Sequence, residues 1–117
     1  MIGPTGAVRV MVATRPVDFR KGADGLAALV QEQLRHDPFS GTIFIFRSKR
    51  ADRLKILVWD GSGLVLLWKR LEHSTFRWPP ISDGVMRLSA SQLAALMDGM
   101  DWSRLHVRDF ERPTATL

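Results

Sequence analysis

Cysteine is absent from the 117 residues, which excludes disulfides, thiolate chemistry and every Cys-based zinc site, and is in keeping with a reducing compartment. No apolar run approaches the about eighteen residues of a membrane span, and no basic leader runs into an apolar stretch and a small-residue cleavage site. The protein is therefore expected in the cytoplasm, with no membrane partner. The nine glycines match neither GxGxxG nor GxxxxGK[ST], so no nucleotide cofactor is implied. His36, His73 and His106 lie far apart without HxH or HExxH spacing, and no metal site is expected. Asp18, Asp24, Asp60, Glu72 and Asp83 are the carboxylates that two-metal phosphodiester cleavage would draw on. Asp18 and Asp24, however, read as helix caps and Asp60 as a turn residue. With no catalytic set left, the expectation is a protein that is not an enzyme and carries no cofactor.

What is present is positive charge in one place. Residues 47 to 87 carry nine Lys and Arg against four Asp and Glu, and the remainder carries eight of each, so the whole formal net charge of +5 sits in the middle third. Localised positive charge favours a polyanionic partner, nucleic acid first, because phosphate contacts release counterions and steer encounter. A solvated cluster that serves only solubility is the competing explanation.

Length and 45% hydrophobic content fit one domain over residues 1–117, with a tail that frays from about residue 111 because nothing after Phe110 can be buried. Val8, Val10 and Val12 alternate with Arg9, Met11 and Ala13 as in a half-buried strand. Leu26, Leu29, Val30 and Leu34 make one stripe of a helix over about 23–35, with Asp18 or Asp24 as cap and Asp37-Pro38 as stop. Strands follow at about 42–47, 53–59 and 64–71, separated by Gly-containing turns, and a short one at 85–88. FRWPP interrupts them, since its prolines lack ladder donors. Ser89 and Gln92 have capping-box spacing ahead of Leu93, Leu96, Met97 and Met100, a second helix over about 90–98 that Gly99 ends. The fold class is α+β: an antiparallel meander of four to five strands with two amphipathic helices packed on one face.

Closing the turns symmetrically places residue 59 opposite 64, 55 opposite 68, 53 opposite 70 and 46 opposite 53. One face then collects Ile43, Ile45, Leu54, Ile56, Val58, Val65 and Leu67 and receives the helices. The other collects Phe44, Phe46, Trp59 and Trp68 with Arg53, Lys55 and Arg70. Arg53 directly opposite Arg70 is destabilising unless solvated or given an anion. Cations interleaved with aromatics suit nucleic acid, where charge holds phosphates and rings stack on bases. Phe44, Phe46, Trp59 and Trp68 are equally what a core or a subunit interface requires.

The stretches ATRPVDFRKGADGLAALVQ, DPFSGTIFIFRSKRADRLKILVWDGSGLVLLWKRLE, FRWP and LSASQLAALMDGMDW resemble, in order and spacing, the small TnpB-type accessory protein of insertion sequence family 66, a group of bacterial transposable elements. The resemblance runs from about Val8 to Trp102. It implies a non-catalytic accessory protein for DNA transposition, encoded beside a separate DDE transposase, and it transfers no catalytic residue. Two functions follow as expectations. In the first, Arg47, Lys49, Arg50, Arg53, Lys55, Lys69 and Arg70 bind the phosphates of element DNA. In the second, the aromatic face docks on the transposase or on a second copy, as a homodimer, without touching DNA.

Overall fold

The computed structural model describes residues 8–82 and 84–105. Strands β1 (Val10–Ala13), β2 (Ile43–Arg47), β3 (Arg53–Trp59), β4 (Leu64–Arg70) and β5 (Val85–Leu88) form one sheet in the order β4-β3-β2-β1-β5. β2, β3 and β4 are the expected antiparallel meander, but β1 runs parallel to β2, so the sheet is mixed. A parallel neighbour needs a crossover rather than a hairpin, and the crossover carries helix α1 (Ala23–Leu29).

α1 continues as a π-helical turn over Val30–Leu34 and ends where Arg35 turns left-handed (φ 60°). The N–H of His36 returns to the Val30 carbonyl at 3.1 Å. Neither Asp18 nor Asp24 caps α1: the cap position is Gly22, without a side-chain bond, and Asp24 lies in the first turn. Helix α2 (Ala90–Met97) has the complete capping box, Ser89 Oγ accepting from Gln92 N and Gln92 Oε1 accepting from Ser89 N.

The two helices lie on opposite faces, which corrects the expectation that both pack on one. Leu26, Ala27, Leu29 and Val30 are buried with Phe44, Phe46 and Leu57, whereas Ala95 and Leu96 are buried with Val10, Val12, Ile45 and Leu54. The reason lies in β2, where Ile43 and Ile45 alternate with Phe44 and Phe46. Both faces of that strand are apolar, and a strand of this kind is buried on both sides. On the α2 side cover thins toward the sheet edge: Ile45 and Leu54 are fully buried, Ile43, Ile56, Val58 and Val65 are half-buried, and Leu67 is 57% exposed.

FRWPP forms an irregular strap over the α2-side core. Phe76 is buried there, the Trp78 indole N–H donates to the Ala13 carbonyl at 2.7 Å, and that of Trp102 to the Arg77 carbonyl at 2.6 Å. The expected frayed tail falls outside the described residues. Among those residues, no helix is long and apolar enough to cross a membrane.

Candidate nucleic-acid interface

The β3–β4 register is the one the turn residues imply: Trp59 pairs with Leu64, Lys55 with Trp68 and Arg53 with Arg70. The β2–β3 register is shifted by two residues from expectation, with Phe46 opposite Lys55 and Arg47 opposite Leu54. Ser48 sets it. Its N–H donates to the Arg53 carbonyl at 3.0 Å and its hydroxyl accepts from the Arg53 N–H at 3.2 Å. The loop is thereby shortened to residues 49–52, with Ala51 left-handed at φ 58°. A shift of two keeps every side chain on its face.

Of the seven cations expected to act together, four stand on the surface, and Arg47, Lys55 and Lys69 are half-buried. Lys49, Arg50, Arg53 and Arg70 are exposed. Their ion pairs are long and loose: Arg53 Nε stands 3.9 Å from Asp52 and Arg70 Nη2 3.8 Å from Glu72. Two lysines, by contrast, are committed inside the fold. Lys55 Nζ donates to the carbonyls of Phe19 (2.7 Å) and Lys21 (2.9 Å) and stands 4.8 Å from the Phe19 ring centroid. Lys69 Nζ donates to the Met97 carbonyl at 2.6 Å, so it closes the C-terminal end of α2, where a cation is favoured. Lys69 and Arg47 pair with Leu54 from its two sides, on the α2 face, away from Arg53 and Arg70. Arg47 Nη1 donates to the Lys49 carbonyl at 3.2 Å, and its buried Nε has no hydrogen-bond partner among the described residues.

The four aromatic candidates also separate. Phe44 and Phe46 are 1% and 0% exposed, so α1 covers both rings and leaves no surface for stacking. Trp59 is half-buried and meets Phe39 edge-on at 5.4 Å. Asp37 Oδ1 accepts from the Phe39 N–H and holds that loop. Trp68 alone of the four is openly exposed, at 63%.

Phe19, not singled out in the sequence, belongs to the site. Asp18 Oδ1 accepts from the Arg20 N–H at 2.9 Å, and its carboxylate takes three bonds from the Arg20 guanidinium, two from Nε and one from Nη2. These bonds and the Arg20 charge hold the Asp18 carboxyl far below the usual carboxylate range. The turn so made aims the Phe19 and Lys21 carbonyls at Lys55. A cleft of about 270 Å³ results, lined by Phe19, Arg53, Lys55, Leu66 and Trp68. A second of about 480 Å³ adjoins it, sharing Phe19 and Arg53 and including Ser48 and Lys49. No local periodicity marks Phe19, whose place depends on the crossover and on a lysine 36 residues away.

At the other end of the hairpin, Asp60 Oδ1 accepts from Ser62 N (2.9 Å), Ser62 Oγ (3.1 Å) and Gly63 N (3.0 Å), with Gly61 at φ 105°. Those bonds, the backbone ones first, lower the Asp60 pKa. The turn role expected of Asp60, Gly61 and Gly63 is what the structure contains. Among the described residues, no three His, Asp or Glu gather in a group able to hold a metal ion.

A family model described as IS66 Orf2 like protein matches residues 8–107. Two proteins of Sinorhizobium fredii (strain NBRC 101917 / NGR234) are similar over nearly their whole lengths. Uncharacterized protein y4jC is 49% identical over 97% of either chain. Uncharacterized protein y4hO is 40% identical over 95% of this chain and 96% of its own. No solved structure matches the chain.

Proposed function

The chain belongs to the IS66 Orf2-like protein family, and from that premise we propose that it is a non-catalytic accessory protein of DNA transposition that holds element DNA by its phosphates. The observation that carries the proposal is the Arg53–Arg70 pair. Two like charges face each other across β3 and β4, each is met among the described residues only by a long ion pair, to Asp52 at 3.9 Å and to Glu72 at 3.8 Å, and exposed Lys49 and Arg50 stand in the adjoining loop. Such an arrangement is relieved by a bound polyanion. The contact set is Lys49, Arg50, Arg53 and Arg70. Lys55 and Lys69 act from within, fixing the surface on which the others stand. Its partners in this role are element DNA and the element-encoded DDE transposase, and its work is positioning.

Gel-shift titration over a salt series, with element-end and unrelated duplexes, tests this. Phosphate contacts are sequence-independent, so Arg50→Ala with Arg53→Ala should weaken binding to both DNAs alike and lower the salt slope by about one unit per lost contact. Unchanged affinity and slope in the folded double variant would remove this end of the sheet as a phosphate site.

One observation favours the second reading, a docking module. β4 is an edge strand whose Leu67 and Trp68 are both more than half exposed, and an open apolar edge is a template for pairing with another chain. Leu67→Lys alters that edge without removing a cation. If it abolishes transposase binding or self-association while DNA affinity is untouched, docking is the function of this edge.

A further inference from the structure

Resting on the DNA reading above, we propose that the cleft between Phe19 and Trp68 binds an unpaired nucleotide of single-stranded DNA, its base stacked on the Trp68 indole and its phosphates held by Arg53, Arg70 and Lys49. Three features meet there. Trp68 is 63% exposed, although an indole on a strand facing a helix layer is ordinarily covered. Its cross-strand partner Lys55 is drawn away to the Phe19 and Lys21 carbonyls, which leaves the indole uncovered and sets the Phe19 ring as the opposite wall. Finally, Arg53 lines the cleft, and Arg70 lies two residues from Trp68 on the same face.

Size and chemistry select the occupant. At about 270 Å³ the cleft lies just below the roughly 300–1,000 Å³ of pockets for drug-sized ligands, and so admits one ring system. Bases in a duplex have both faces covered by their neighbours, whereas an unpaired base offers a free face to an aromatic platform. Backbone-tracking cations beside one exposed ring are the usual makeup of a single-strand groove. The adjoining cleft, which shares Phe19 and Arg53 and includes Lys49, extends the track for the next nucleotide. Asp18 also lines it, but its charge is paired with Arg20 at 2.7 Å.

Fluorescence anisotropy of the full chain tests this with a labelled homopolymeric single strand and a duplex of equal length. Intrinsic tryptophan quenching and sedimentation are followed in parallel. The single strand should bind about tenfold or more tightly, and Trp68→Ala should reduce that affinity by about tenfold, the scale of one base–aromatic stack, with duplex affinity retained. Trp68→Phe should keep single-strand affinity within a few-fold while removing most of the quenching, and this variant decides the matter should Trp68→Ala fail to fold. Equal binding of both DNAs, undiminished by Trp68→Ala, overturns the cleft and leaves the phosphate reading intact. Binding of neither DNA at low salt overturns both. Loss of self-association in Trp68→Ala with unaltered single-strand affinity overturns the cleft in favour of an interface.

Discussion

The two ends of the β3–β4 hairpin solve opposite electrostatic problems. At the Asp60 end one carboxylate is satisfied by three donors from its own turn. At the Arg53 end stand four exposed cations, and among the described residues the ion pairs of Arg53 and Arg70 are long, 3.9 and 3.8 Å. A turn that completes its own hydrogen bonds has little left to offer a partner, and a surplus of like charge has an interaction still to make. Charge density along the sequence does not separate these cases. What separates them is which polar groups the fold has already used.

The largest effect that sharpens the comparison concerns a residue at the basic end that is wholly internal. Phe46 pairs with Lys55 and is fully buried under α1, so Phe46→Ala should cost about 3–5 kcal/mol of stability, measured by urea denaturation. A loss under about 1 kcal/mol, outside the range for a buried Phe, would return Phe46 to the surface set.

Lys55→Met comes next. Its ammonium donates to two carbonyls of the loop after β1, and bonds to charged groups contribute about 1.5–3 kcal/mol. The variant should lose stability on that scale and loosen the Phe19 loop, visible as faster amide exchange at residues 19–21. A stable Lys55→Met variant whose only defect is duplex binding would place Lys55 among the phosphate contacts after all.

The contrast between Lys55 and Arg53 marks how far the sequence was legible. Strand limits, the Asp60 turn, the β3–β4 register and the Ser89–Gln92 box all rest on local chemistry and could be read from a few neighbouring residues. Lys55 and Lys69 find their partners 34 to 36 and 28 residues away, through contacts that only the tertiary fold creates, and so looked like further members of a basic surface. The placement of α1 and α2 on opposite faces does have a local signal: Ile43 to Phe46 leave β2 no polar side. The two-residue β2–β3 shift had none, because a serine hydroxyl closing the loop is one of several closures the same residues permit.

The Asp60 end should reveal itself in acid. Its folded pKa is lowered from an unfolded value near about 3.9. The stability it contributes is therefore fully present above that value and lost as pH falls through the folded pKa. Asp18, lowered by its Arg20 bonds, acts in the same direction. Asp60→Asn keeps an acceptor oxygen but no titrating group, so its denaturation midpoint should lie slightly below the parent's at neutral pH, and the gap should close as pH falls below about 4. Should Asp60→Asn instead abolish transposition with stability unchanged, the turn assignment is wrong.

The smallest effect on stability tests the other end most directly. If Arg53 and Arg70 repel each other across the strands with no internal compensation, removing one charge should relieve the fold rather than weaken it. Like charges directly opposite cost about 0.2–1 kcal/mol, and exposure puts this pair at the low end. Arg70→Gln keeps most of the side chain and removes the charge. It should leave the protein as stable or a few tenths of a kcal/mol more stable in low salt, and the gain should vanish near 1 M salt, where the screening length is about 3 Å. DNA affinity should fall in the same variant, so stability and binding move in opposite directions. A destabilised Arg70→Gln would mean that the ion pairs with Asp52 and Glu72 already balance this end from within, and the case for an external polyanion would lose its main physical support.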